Sequence, residues 1–139
     1  MNSALRGKYA LIVHPDLATL SKYQALLSAA RFIAIVAGDL PTALLAVTRY
    51  YFDLGIVSSQ LDEPGDGWPL AGVLHSMFPK SFVLVLAPGA DLPALQAAIN
   101  NGVQEVCEAT RAPESVVGAV LQMMDPSRTK ITGNRAHVQ

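Results

Sequence analysis

Apolar positions along this chain follow two rhythms in turn. Continuous apolar runs occur at Tyr9–Val13, Phe32–Ala37 and Phe82–Leu86, and Val103–Cys107 reads as a short fifth strand. Runs of this length, rich in β-branched residues, predict strands covered on both faces. Asp53–Val57 joins the series as a third strand in chain order. Between the runs the spacing turns helical. Leu17, Leu20, Tyr23, Leu26 and Leu27 predict a helix to about Ala30, capped by Asp16 or Thr19. Asp39 ahead of Pro41 reads as an N-cap and a first-turn proline, so a helix is expected over Pro41–Tyr51, with Leu44, Leu45 and Val47 apolar. Trp68–Met77, Pro93–Asn100 and Glu114–Met124 predict three more, the last with Pro113 in its first turn. Pro79 and Asn101-Gly102 are stops. Five strands alternating with five helices predict a doubly wound α/β domain around a parallel sheet.

Composition narrows the setting. Of 139 residues, 51% are hydrophobic and 15% charged, so the body is expected to fold rather than stay disordered. The apolar runs are far shorter than the ~20 residues of a membrane span. The opening MNSALRGK has no apolar signal core, and a native start at Met1 is expected. The single cysteine, Cys107, excludes an internal disulfide and reads as a small buried hydrophobe. A cytoplasmic protein with no membrane contact is expected. The formal net charge of −1 gives no broad field for nucleic acid. Arg128, Lys130 and Arg135, with no acid after Asp125, read as a solvated extension. The expected organisation is an N-terminal extension over 1–7, a domain over 8–124 and a flexible tail over 125–139. The chain after Met124 is too short for a DNA-binding output domain.

Three stretches carry a family resemblance. Asp53-Leu-Gly-Ile-Val-Ser58 is similar to a strand that ends on a phosphorylated aspartate. Gly65-Asp66-Gly67-Trp68 and Ala97-Ala98-x-x-x-Gly102-Val103-x-Glu105 follow in matching order. From Lys8 to about Met124 the chain resembles the receiver domain of bacterial two-component response regulators. The resemblance implies a CheY-like, flavodoxin-like sheet of strand order 2-1-3-4-5, with its site at the carboxyl ends of the strands. It also implies an acceptor carboxylate, an acidic pair for magnesium, a hydroxyl after strand 4 and a lysine after strand 5. Here the acidic pair falls on His14-Pro15, the acceptor on Ser58 (or Ser59), the hydroxyl on Ala87 and the lysine on Ala109, followed by Thr110. The aromatic switch position falls on Val106. Proline offers no side-chain ligand, imidazole suits magnesium poorly, and an unactivated serine is a weak nucleophile.

A degenerate pseudo-receiver is therefore expected, not an enzyme, acting in signal transduction through phosphorylation-independent protein contacts. The resemblance places partner or self-association contacts on the face of the fourth helix, fifth strand and fifth helix. That face would draw on Leu92, Leu95, Gln96, Ile99, Val106, Glu108, Val117, Val120 and Leu121, some of them core. Two alternatives stand beside this reading: a small-molecule sensor using a cleft lined by His14, Ser58, Ser59, Ala87 and Pro88, and a weakly phosphorylatable regulator.

No cofactor or metal is expected. Asp62, Glu63 and Asp66 read as a solvated acidic loop, although they or Asp16 could rebuild a metal site. The histidines His14, His75 and His137 lie on unrelated elements, with His75 late in a helix where its charge suits the dipole. Trp68 is expected to pack over the sheet edge, and Tyr50-Tyr51-Phe52 to be core or partly exposed.

Overall fold

Parallel strands form the centre of the protein, and the computed structural model describes residues 7–125. The elements in chain order are β1 (Lys8–Val13), α1 (Leu17–Ala29), β2 (Phe32–Ala37), α2 (Leu40–Arg49) and β3 (Leu54–Ser58). They continue as α3 (Gly67–Met77), β4 (Phe82–Ala87), α4 (Leu92–Asn100), β5 (Glu105–Glu108) and α5 (Pro113–Met124). The sheet order is β2-β1-β3-β4-β5, every pair parallel, which is the flavodoxin-like topology expected from the resemblance. Elements thus run from Lys8 to Met124. The extension and tail lie outside the described residues except for Gly7 and Asp125, and so do Arg128, Lys130, Arg135 and His137.

Alternation along the central strands splits the core in two. Leu11, Val13, Val57, Val83 and Val85 pack under α2 and α3, while Ala10, Ile12, Leu54, Ile56, Leu84 and Leu86 pack under α1 and α5. Asp16, Asp39 and Asp91 cap α1, α2 and α4, accepting from the N–H groups of Thr19, Thr42 and Ala94. Satisfying an orphan donor in this way fixes where each helix begins.

Some sequence expectations shift. In α2 the small Ala43 and Ala46, with Val47, face the sheet, and Leu44 and Leu45 are exposed. The small residues let the helix sit close to the strands. Leu17 is likewise exposed. The fifth strand begins at Glu105, two residues later than the expected start at Val103. The cause is Gln104, whose Oε1 accepts from Val83 N–H at 2.8 Å and whose Nε2 donates to Ser81 O at 3.1 Å. The Gln104 N–H still donates to Val83 O at 3.0 Å, and its side chain supplies the acceptor for Val83 N–H.

Two margins of the sheet matter later. The edge strand β2, FIAIVA, carries no charge, and Gln24 Nε2 from α1 donates to its Ala34 carbonyl at 3.2 Å. At the end where the strands begin, Tyr9 stacks on Tyr50 with centroids 5.4 Å apart, and Tyr51 meets Phe78 edge-on at 4.9 Å. Phe52 is buried, whereas Tyr50 and Tyr51 are exposed.

Candidate functional site

Strand register brings the expected pocket residues to one end of the sheet. Val13 pairs with Val57 and Ser58 with Leu86, so His14, Ser58 and Ala87 follow on adjacent strands. Glu108 pairs with Ala87, and the N–H of Ala109 donates to Ala87 O at 2.7 Å. Pro15 follows His14 in the turn to α1 and is exposed. Ser58 is the last residue of β3, and Ser59 lies just beyond it, both buried.

The polar groups here are engaged with their own loops. Ser58 Oγ donates to Gln60 O at 2.8 Å and accepts from Gln60 N–H at 3.2 Å. A hydroxyl closed on its own turn has no base to take its proton, so it is not activated as a nucleophile. His14 Nδ1 accepts from Asp16 N–H at 3.0 Å. Burial lowers the His14 pKa against the opposing pull of the Asp16 carboxylate, which favours the neutral ring. Asp16 Oδ2 in turn accepts from both Thr19 Oγ1 and Thr19 N–H, at 2.7 and 2.9 Å, and these bonds hold its carboxyl below the usual range. Asp16 is therefore a helix cap.

The acidic loop after β3 has a structural job that its sequence does not announce. Asp66 Oδ1 accepts from Leu61 N–H at 2.7 Å, and Oδ2 from Asp62 and Glu63 N–H at 3.0 and 3.1 Å. Burial pushes this carboxyl up, but the backbone donors outweigh it and the net shift is down. The next residue, Gly67, donates its N–H to Ser59 O at 2.9 Å, and a Cβ there would overlap the Ser58 carbonyl oxygen. Loop and helix are thus clamped onto the end of β3. Among the described residues no group of three or more His, Cys, Asp or Glu side chains is placed to hold a metal ion.

A shallow cleft of about 260 Å3 lies beside this clamp, lined by Ser59, Gln60, Trp68, Ala87 and Pro88 among others. His14 and Ser58 do not line it. Trp68 is half-buried and packs on the α2–α3 side of the core. Arg111, the cation after β5, donates to Ser115 Oγ at 3.0 Å and to Cys107 Sγ at 3.4 Å. Burial raises the Cys107 thiol pKa, with Arg111 opposing, so this sulfur is not a ready thiolate.

The face expected to meet partners divides. Leu92, Leu95, Gln96 and Ile99 all point outward from α4, with Leu92 74% and Ile99 79% exposed. The helix, LPALQAAIN, holds no charge. Glu108 and Leu121 are exposed and Val106 is half-buried. Val117 and Val120 do not belong to the face: they are buried at 4% and 0%, packing with Val116 against the sheet. The α5 stripe that faces the strands lies on those three residues and leaves Leu121 outside. An open groove of about 770 Å3 adjoins Ile99 where α3 meets the end of α4, and Val73, Met77 and Asn101 also line it. His75 packs there against Gly102, whose φ of +69° and lack of a Cβ leave room for the ring. Its Nδ1 is buried without a hydrogen-bond partner among the described residues.

No protein-family model matches the chain, and no curated protein matches it in sequence. Solved structures do match in shape. A CheY-like response regulator receiver domain from Methanospirillum hungatei is 19% identical with a TM-score of 0.76, over 88% of this chain and 98% of that one. The signal receiver domain of an HD domain-containing protein from Pseudomonas fluorescens is 25% identical with a TM-score of 0.73, over 84% and 94%. A response regulator from Burkholderia pseudomallei, solved with a phosphorylated aspartic acid and a calcium ion, is 17% identical with a TM-score of 0.73, over 95% and 75%. The chain has the fold of a CheY-like response regulator receiver domain.

Proposed function

With the receiver fold as premise, we propose that this domain is a pseudo-receiver. It relays signals in the cytoplasm through protein contacts that do not depend on phosphorylation, and it catalyses no reaction. The observation that carries this reading is the chemistry at the end of β3: Ser58 stands where the resemblance implies the acceptor carboxylate, and its hydroxyl is closed on Gln60. Around it stand His14, Pro15, Ala87 and Ala109, which supply neither an acidic pair nor a lysine. Developing phosphoryl charge would meet no positioned cation from these residues. Arg111 is turned to Cys107 and Ser115.

Contacts are proposed on the outer stripe of α4, with Glu108, Leu121 and the rim of Val106. Exposed leucine and isoleucine on an uncharged helix give a desolvation-driven surface. The small-molecule reading has a cleft in its favour, but its 260 Å3 is below the roughly 300 Å3 at which ligand pockets begin, and it leaves out His14 and Ser58. The weakly phosphorylatable reading is disfavoured by the engaged Ser58 hydroxyl.

The test has two parts. Titration with beryllofluoride and magnesium, followed by NMR, is expected to leave the Ser58 and Ala87 amides unmoved; saturable shifts there would return the domain to the phospho-switches. Ile99→Asp is expected to abolish self-association, or capture of a protein partner, while leaving the thermal midpoint within about 2 °C, because exposed substitutions cost about 0.5 kcal/mol or less. Unchanged association in that variant would remove α4 from the interface.

A further inference from the structure

A formal net charge of −1 averages over two unlike ends of this molecule. Because all strands are parallel, every αβ connection lies at the end where strands begin. Lys8 opens β1, Arg31 precedes β2, Arg49 closes α2 and Lys80 precedes β4. All four are exposed. Asp53 is at this end too, but its Oδ2 accepts from Tyr9 N–H at 2.9 Å. Glu105 opens the far edge strand β5, and Asp125 follows α5. The opposite end carries Asp16, Asp39, Asp62, Glu63, Asp66, Asp91, Glu108 and Glu114 against only Lys22 and Arg111. Both chain termini also join the described residues at the basic end, and they carry Arg6, Arg128, Lys130 and Arg135 with no acid beyond Asp125.

At this end lies a hollow of about 440 Å3, lined by Gly7, Tyr9, Arg49, Tyr50, Tyr51 and Asp53, with Arg49 its one lining cation and the Asp53 carboxylate engaged by Tyr9 N–H. Tyr50 and Tyr51 are 38% and 55% exposed, and the Tyr9 ring continues the stack behind Tyr50. The contact of Tyr51 with Phe78 brings the loop that holds Lys80 alongside. We propose that this hollow is a nucleotide-binding site, with a base stacked on Tyr50 or Tyr51 and its phosphate held by Arg49. A bare phosphate would make no use of the exposed faces of Tyr50 and Tyr51, and an apolar ligand would make none of Arg49. Tyrosine faces beside arginine suit a planar base joined to an anion. The nucleotide could be free or part of a single strand, and chain length separates the two. This site lies at the opposite end of the sheet from Ser58, and it is independent of the α4 surface.

The test uses the full chain, titrated with adenosine monophosphate and with a twelve-residue single-stranded oligonucleotide, read by NMR and fluorescence anisotropy at two salt concentrations. Shifts are expected at Tyr9, Arg49, Tyr50 and Tyr51. Arg49→Gln is expected to weaken binding about fivefold and to lower the salt slope by about 0.7 for each phosphate it no longer neutralises. Tyr51→Ala is expected to weaken it roughly tenfold. Because Tyr51 also packs on Phe78, the exposed Arg49 variant keeps the test valid if Tyr51→Ala misfolds. Equal affinity for both probes assigns a free nucleotide, and affinity rising with length assigns a strand. Lys22→Gln, at the acidic end, should change nothing. Shifts confined to the Ser58 end, undiminished binding by Arg49→Gln, or binding to anionic lipid vesicles with none to either nucleotide probe would each overturn the proposal.

Discussion

Removing the Asp66 carboxylate tests whether the loop after β3 is held by one side chain. In Asp66→Ala, three backbone N–H groups lose their acceptor at once. Hydrogen bonds to a charged group are worth about 1.5–3 kcal/mol each. Asp62 and Glu63 are exposed, so their N–H groups regain water, whereas Leu61 is buried and its N–H does so less readily. The net loss is therefore about 2 kcal/mol rather than the sum of three. For a domain of this size that is roughly 6–10 °C in the thermal midpoint. Asp66→Asn keeps one oxygen for Leu61 but turns an amide NH2 toward Asp62 and Glu63, so about half the loss is expected. The pH dependence fixes the cause. The folded carboxyl lies below its usual 3.8, so its contribution is fully present above that value and lost as pH falls through the depressed one. The gap between wild type and Asp66→Asn should hold from pH 7 to about pH 5, then close under acid. Calorimetric scans at several pH values would measure it. An Asp66→Ala midpoint within 1 °C of wild type at pH 7 would refute the clamp.

Gln104→Ala removes two side-chain bonds, to Val83 in β4 and to Ser81 just before it, and should cost about 1–2 kcal/mol, with faster amide exchange at Val83 as the local sign. Val117→Ala should destabilise by about 1–3 kcal/mol through a core cavity, while Leu121→Ala stays within about 0.5 kcal/mol; denaturant melts reading the reverse would invalidate the division of α5. Cys107 should react with a thiol reagent at pH 8 at least about a hundredfold more slowly in the folded protein than in denaturant, because burial both raises its pKa and blocks access.

Strands and caps were legible in the sequence because each rests on neighbours in the chain. Continuous apolar runs marked β1, β2 and β4, and Asp39 before Pro41 marked the start of α2. Features resting on distant partners were not. Gln104 looks like any polar residue before a strand, and only the position of β4 gives its amide two partners. Asp66 reads as solvated acid until the loop folds back over it. In α5, PESVVGAVLQMM is apolar around most of its circumference, so spacing alone could not place Val117 and Val120 inside and Leu121 outside. The emptied positions His14, Ser58, Ala87 and Ala109 were readable one by one, but their convergence required the register. The tyrosine hollow was the least visible, since Tyr9 of β1 and Tyr50 at the end of α2 are distant in the chain and meet only in the fold.

The uncharged margin formed by β2 bears on how this protein behaves in a crowded solution. A six-residue apolar edge without proline, lysine or a bulge is a template on which another chain can add a strand. Gln24 occupies the carbonyl of Ala34 near the middle of that margin, and a foreign strand must displace it before it can zip along. One amide on α1 is thus expected to hinder pairing along this edge. Its loss would show in the colloidal lifetime of concentrated samples well before any change in the thermal midpoint.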